Sequence, residues 1–109
     1  MRIGIPRPCL RAREIIEAAA QQDVPLHGLV NVVGGLPVER WQALLDYSEE
    51  TLDVLLDSNL KVALQTSRAF ARQLKEQGSG GSIVQIATIA ALQAMPFGAG
   101  YAASKAALL

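Results

Sequence analysis

Two ionisable residues, Tyr101 and Lys105, stand four positions apart in the stretch GYAASKAALL. The residues around them are mostly Ala, Ser and Leu, which are compatible with a helix. Residues at i and i+4 lie on the same face of a helix. The pattern therefore predicts a phenol next to an ammonium, where the positive charge stabilises the phenolate and the phenol can give or take a proton.

The composition limits the kinds of chemistry that the chain can support. Half of the 109 residues are apolar, which allows one domain with a hydrophobic core. Ten Lys and Arg balance ten Asp and Glu, so no basic face for nucleic acid is expected. Cys9 is the single cysteine and His27 the single histidine, which excludes an internal disulfide and a Cys/His metal cage. We therefore expect no metal site and a reducing, cytoplasmic environment.

An uncharged stretch at residues 77–104 is long enough to be considered as a membrane span. Gly and Pro interrupt it repeatedly, with Ser and Gln between them, so no continuous apolar helix is predicted. The first residues, MRIGIPRPCLRARE, lack the apolar block of a secretory signal. The sequence predicts a soluble protein with no membrane partner.

Helix and strand patterns alternate along the chain. Apolar residues at helical spacing predict helices over 9–22, over 48–77 with a kink near Asn59, and from about residue 100. Short uncharged runs predict strands over 27–33 and 82–88, and residues 35–47 are predicted as a loop with a helical turn near Trp41. The later half of the long helix shows an apolar stripe of Leu60, Ala63, Leu64, Ser67, Phe70, Ala71 and Leu74.

The two predicted strands have the uncharged character of parallel strands buried on both faces. The order helix, strand, helix, strand, helix predicts an α/β fold with a parallel sheet and helices on both faces. Two strands are few for an independent sheet, and MRIGIP could supply the end of another. We therefore expect residues 1–109 to form a single incomplete domain that is marginally stable and prone to associate.

Four segments together resemble the middle of a short-chain dehydrogenase/reductase: LVNVVGG, LLDSNLKVALQTSRAF, GSIVQIATIAAL and YAASKAALL. They occur in the order and spacing of that family over roughly residues 9–109. The resemblance implies a partial Rossmann-like fold and an oxidoreductase that uses NAD or NADP. It further implies a small carbonyl or alcohol substrate, such as a 3-oxoacyl thioester, and a homo-oligomer when the protein is complete.

The resemblance also assigns catalytic roles to individual residues. By the Y-x-x-x-K pattern, Tyr101 exchanges a proton with the substrate oxygen, and Lys105 stabilises the phenolate and bonds the nicotinamide ribose. Thr88 occupies the position of the substrate-orienting serine, with a hydroxyl of the same hydrogen-bonding capacity. Asn59 matches an asparagine that lies at a helix kink and holds a water in the proton relay.

The cofactor-binding residues implied by the family are Asn31, Gly34, Tyr101 and Lys105. The family's N-N-A-G appears here as Asn31-Val32-Val33-Gly34, so Val32 removes one amide. No G-x-G-x-x-G motif for a pyrophosphate occurs in the sequence. We expect an internal fragment that lacks the family's first strand and Gly-rich turn and also its C-terminal part.

Two functions of different class remain open. The chain is either the catalytic middle of an oxidoreductase or a noncatalytic fragment that acts as a subunit-interaction module. In the family, the helices corresponding to 59–77 and to the stretch from 101 pack across subunit interfaces. The joint presence of Asn59, Tyr101 and Lys105 favours the enzyme, because interface packing alone does not require them.

Overall fold

The computed structural model describes residues 8–109. Along them lie α1 (Pro8–Ala20), β1 (Gly28–Asn31), α2 (Glu49–Leu56), α3 (Val62–Gln77), β2 (Ser82–Gln85) and α4 (Ala99–Ala106). This order agrees with the sequence prediction, although both strands are shorter than predicted. The possible strand end in MRIGIP lies outside the described residues.

The two strands pair in parallel, with Leu29 opposite Ile83 and Asn31 opposite Gln85. Parallel neighbours need a long crossover connection, which α2 and α3 provide. The carboxyl ends of both strands therefore open onto the same edge of the sheet. A parallel sheet joined through helices confirms the α/β class.

The long helical region begins and ends where the sequence predicts. The Ser48 Oγ accepts a hydrogen bond from the Thr51 N–H at 3.1 Å, and Gly78 ends the region with a φ of 70°. Between α2 and α3, residues Asp57–Lys61 form a single π turn. The kink predicted near Asn59 is thus a π turn, a widening common at functional sites, and it leaves Asn59 0% exposed.

A buried polar cluster around Asn31 fixes α3 against the sheet. The Asn31 Nδ2 donates to Gln85 Oε1 at 3.0 Å and to Ser67 Oγ at 3.1 Å. The Thr66 Oγ1 donates to the Asn31 Oδ1 at 2.7 Å. Because buried polar groups need partners, this cluster sets the rotation of α3 about its axis.

Because of this rotation of α3, part of the predicted apolar stripe faces outward. Phe70 and Ala63 are buried as predicted, but Leu64 is 54% exposed and Ala71 is also exposed. The polar Thr66 takes a buried position instead. The prediction failed at these positions because hydrogen bonding to the strand, rather than hydrophobicity alone, decides which face of α3 turns inward.

The helical cover of the sheet is one-sided within residues 8–109. Helix α1 packs against α3, and Ile16 of α1 is buried there. On the face of the sheet away from α3, Val30 is 59% exposed and Val84 is 48% exposed. The prediction that both strands are buried on both faces is therefore wrong for these residues, because none of the described helices covers the second face.

The loop after β1 packs against the start of α4. It contains two short 3-10 turns, Val38–Arg40 and Leu44–Asp46, on either side of the turn predicted near Trp41. The Gly98 N–H donates to the Gln42 carbonyl at 3.1 Å, which joins the loop to the residue before α4. Within residues 8–109, no helix combines the length and apolar character needed to cross a membrane.

Candidate active site

The Lys105 ammonium links the carboxyl ends of the two strands. Its Nζ donates to the Val33 carbonyl at 2.7 Å and to the Ile86 carbonyl at 3.1 Å. Val33 follows β1 and Ile86 follows β2, and the lysine is only 4% exposed. An ammonium has three N–H donors, so two hydrogen bonds leave one for another acceptor. Lys105 is thus held at the sheet edge where α/β proteins bind ligands.

Burial lowers the pKa of the Lys105 ammonium below its ordinary value. The unfolded chain therefore keeps this proton to a higher pH than the folded chain does. It follows that the contribution of Lys105 to the free energy of unfolding rises as the pH increases towards about 10.4, and is lost as the pH falls through the folded-state pKa. The neutral amine still has N–H groups for both carbonyls.

We expect Lys105→Met to be less stable than the parent, because Met fills a similar space without donating to either carbonyl. The difference in free energy of unfolding should widen between about pH 7 and about pH 10. Urea unfolding at both pH values measures it, and Lys75→Met, at an exposed position on α3, serves as the control. A difference that narrows as the pH rises would contradict the pKa direction.

Tyr101 lies one helical turn before Lys105 on α4 and is half-buried. The helix predicted from the Tyr-x-x-x-Lys spacing is therefore confirmed. Gly98 precedes α4 with a φ of 92°, and an added Cβ at Gly100 would come within 3.0 Å of the Tyr47 ring. These glycines let the start of α4 approach the neighbouring loop and α2 closely, which fixes the position of Tyr101.

Thr88 lies two residues beyond Ile86, at the start of a 3-10 turn over Ile89–Ala91 that packs against α4. Its Oγ1 accepts a hydrogen bond from the Ala90 N–H at 3.4 Å. No residue within 8–109 accepts a hydrogen bond from its hydroxyl. The Thr88 O–H thus remains able to donate to a ligand at the same end of the sheet as Lys105.

Asn59 holds the backbone of the loop that follows β1. Its Oδ1 accepts from the Gly35 N–H at 2.7 Å, and its Nδ2 donates to the Gly35 carbonyl at 2.9 Å. Gly34 has a φ of 92°, and a Cβ there would collide with the Asn59 side chain. A fully buried Asn59 therefore positions the loop, while its contact with a relay water stays a prediction.

Asn31 is the last residue of β1, but its side chain does not open onto this edge of the sheet. That side chain points into the polar cluster with α3 and β2 and is only 3% exposed. It fixes the end of β1, and a direct contact between Asn31 and a cofactor stays a prediction. Gly34 and the backbone of Gly35 lie instead at the loop that Asn59 holds.

The sequence prediction missed the two carbonyls of Val33 and Ile86 that receive the Lys105 ammonium. Main-chain acceptors leave no residue-type signal, although their position just beyond two parallel strands could have suggested them. Gly35 was also missed, and its place directly after Gly34 was the available signal. Among residues 8–109, no three His, Cys, Asp or Glu side chains come together as a metal site requires.

The chain is similar in sequence to proteins that are named as oxidoreductases or dehydrogenases. It is 34% identical over 95 residues to the protein named "Probable oxidoreductase EphD" from Mycobacterium tuberculosis, covering 86% of this chain and 16% of that protein. It is 33% identical over 96 residues to L-rhamnose 1-dehydrogenase (NAD(P)(+)) from Azotobacter vinelandii, covering 88% of this chain and 36% of that protein.

A solved structure and a family model also match this chain. The crystal structure of a short chain dehydrogenase from Mycobacterium smegmatis matches with a TM-score of 0.83 and 26% identity, covering 90% of this chain and 39% of that chain. The chain thus spans well under half the length of these relatives. A family model described as short chain dehydrogenase matches residues 10–109. This protein belongs to the short-chain dehydrogenase family.

Proposed function

We propose that this chain carries the catalytic part of an oxidoreductase that transfers hydride between NAD or NADP and a small carbonyl or alcohol. The observation that carries the proposal is the placement of Lys105 on two backbone carbonyls at the carboxyl edge of the sheet. Tyr101 lies one turn away on the same helix, and Thr88 lies beyond β2. The residue types that such a reaction needs, a phenol, an ammonium and a hydroxyl, thus belong to α4 and to the segment that follows β2.

The residues at this edge fit the nicotinamide-ribose end of such a cofactor. Lys105 keeps one N–H donor beyond the two that bond Val33 and Ile86, and a ribose hydroxyl can accept from it. Beside Gly35, an added Cβ would meet no atom within 4 Å, so the loop leaves open space there. The cofactor supplies the hydride, and two relatives are named as NAD- or NAD(P)-dependent.

Tyr101 is proposed to move the proton in this reaction. In reduction, its hydroxyl donates a proton to the oxygen of the substrate carbonyl, and in oxidation it accepts one from the alcohol. Thr88 is proposed to donate a hydrogen bond to the same oxygen and so to orient the carbonyl carbon.

We expect Thr88→Ser to retain turnover and Thr88→Val to lose it by about 10²-fold or more, because Val keeps the shape of Thr without the hydroxyl. The assay follows the loss of NAD(P)H absorbance with a panel of ketones and 3-oxoacyl thioesters. Thr88→Ser is the matched control because it retains the donor. Equal turnover by Thr88→Val and the parent would show that this hydroxyl does not orient the substrate.

A homo-oligomer is also proposed, on the basis of the exposed apolar positions on α3. Leu64 is 54% exposed on the outer side of this helix. We expect Leu64→Glu to shift the protein towards the monomer, because an exposed apolar side chain at an interface would become an unpaired charge. Size-exclusion chromatography with light scattering measures the molar mass of the protein in solution. Val24→Glu is the control for added charge, because it replaces an exposed apolar residue that lies outside α3. An unchanged mass distribution in Leu64→Glu would argue against this interface.

A further inference from the structure

The nine residues from Ile89 to Phe97 join Thr88 to the start of α4 and contain no charged side chain. Gln93 is the only side chain among them that can form conventional hydrogen bonds. Ile89 is 72% exposed, Leu92 is 75% exposed and Phe97 is 52% exposed. This stretch, here called the apolar segment, presents large hydrophobic side chains outward rather than to the core.

The apolar segment borders the candidate site at both of its ends. Thr88 immediately precedes it, and Gly98 follows it, with Tyr101 three residues beyond in α4. A carbonyl held between Thr88 and Tyr101 would therefore extend its remaining groups along this segment. The contacts that the segment can offer to a substrate are dispersion and apolar burial rather than ion pairing.

The loop that packs beside the segment adds to its apolar character. The Gly98 N–H bonds the Gln42 carbonyl at 3.1 Å, which places Trp41, itself 57% exposed, on the adjoining stretch of chain. The nearby cation Arg40 donates from its Nη1 to the Thr51 Oγ1 at 3.4 Å on α2.

Lys105 is held by two backbone carbonyls at the sheet edge. Neither Arg40 nor Lys105 is thus directed to a carboxylate that lies along the apolar segment.

We infer, resting on the proposed function, that the substrate is an uncharged carbonyl compound whose remaining part is apolar. A carboxylate lying along the segment would lose water without gaining an ion pair with Arg40 or Lys105, which is costly. A sugar would lose hydrogen bonds that Gln93 alone can replace only in part. An alkyl or aryl group instead gains free energy in proportion to the apolar area that it buries.

A pair of matched ketones tests this inference. Methyl hexyl ketone and its analogue with a carboxylate in place of the far methyl group share the same reacting carbonyl and chain length. With NADH or NADPH, we expect kcat/KM for the neutral ketone to exceed that for the charged analogue by at least about tenfold. Phe97→Lys should reduce this preference by about tenfold or more, because it supplies a cation beside the segment. Leu92→Lys should do the same and provides a second variant.

Val24→Lys is the matched control, because Val24 is 68% exposed but precedes β1, at the opposite end of the sheet. It should leave the preference unchanged. Better turnover of the charged ketone with NADH or NADPH, or faster oxidation of L-rhamnose with NAD+ or NADP+, would overturn the inference while leaving the proposed oxidoreductase intact. A preference that neither Phe97→Lys nor Leu92→Lys alters would also overturn it.

Binding supplies a readout that does not depend on turnover. Trp41 is the single tryptophan, so a change in tryptophan fluorescence on ligand binding arises from this residue, which lies in the loop beside the segment. We expect a saturable change in Trp41 fluorescence on addition of methyl hexyl ketone. The charged analogue should bind with a dissociation constant at least about tenfold higher. If no carbonyl is reduced, the proposed function fails, and this titration still decides the apolar preference. Equal affinity for both ketones would contradict it.

Discussion

Replacing Tyr101 by Phe is expected to lower the turnover of a carbonyl substrate by about 10²- to 10⁴-fold, the range typical for loss of a general acid. The change removes one hydroxyl from a half-buried ring and leaves the packing of α4 in place. Affinity for NAD(P)H should change little, because Lys105 keeps its N–H donor for the ribose. Turnover is measured by NAD(P)H absorbance, and affinity by the fluorescence of the bound dinucleotide.

Tyr47→Phe is the matched control for this experiment. The chain has two tyrosines, and the Tyr47 hydroxyl is buried without a hydrogen-bond partner among the described residues, next to Gly100 of α4. Removing that hydroxyl should leave turnover at the parent level. If Tyr101→Phe also turns over at the parent rate, Tyr101 is not the proton donor, and the Tyr-x-x-x-Lys pattern here only supports a packed helix.

The second large effect is expected from Asn59→Leu. Leu has a similar volume but cannot bond the Gly35 N–H and carbonyl or the Leu55 carbonyl, which Asn59 reaches at 2.7, 2.9 and 2.9 Å. Loss of these buried hydrogen bonds should lower the free energy of unfolding by about 2 to 4 kcal/mol. Turnover should fall as well, because the loop at Gly34 and Gly35 borders the site and loses its attachment to the π turn.

Urea unfolding and the absorbance assay measure the two effects of Asn59→Leu. Gln65→Leu is the control, since Gln65 is a half-buried amide on the neighbouring helix α3 that forms no hydrogen bond within residues 8–109. It should change the free energy of unfolding by no more than about 0.5 kcal/mol. A variant at Asn59 as stable and as active as the parent would show that the loop keeps its position without this side chain.

Local signals in the sequence were sufficient to predict the order of the helices and strands, including α4. Ser48 and Gly78 mark the ends of the long helical region through capping chemistry that depends on neighbouring residues only. The spacing of Tyr101 and Lys105 likewise depends on one helix. Such features can be predicted because they need no knowledge of contacts between distant parts of the chain.

The features that sequence reasoning missed depend on long-range contacts. Leu64 belongs to the predicted apolar stripe, yet the hydrogen bond from Thr66 to Asn31 turns it outward, and these two residues are 35 positions apart. The binding of the Lys105 ammonium by backbone carbonyls has the same character, since the Val33 carbonyl is 72 positions away. Pattern reasoning can identify the residue types at such positions, but the pairing follows only from the assembled fold.

The exposed faces of β1 and β2 show a further limit of the sequence. Val30 and Val84 have the residue type of a buried strand, and within residues 8–109 they remain 59% and 48% exposed. Uncharged β-branched residues indicate that a face is suited to burial. They do not indicate which other residues cover it, and that depends on elements that the pattern of one strand does not contain.

Transfer of deuterium from reduced cofactor to substrate tests whether the protein transfers hydride at a site that depends on Tyr101. The protein is incubated with NADH or NADPH deuterated at the transferable position of the nicotinamide, together with methyl hexyl ketone, and the product is analysed by mass spectrometry. We predict an alcohol that carries one deuterium on the former carbonyl carbon, formed by the parent and by Tyr47→Phe and largely absent with Tyr101→Phe. An alcohol without deuterium, or equal product from all three proteins, would contradict hydride transfer at a site that depends on Tyr101.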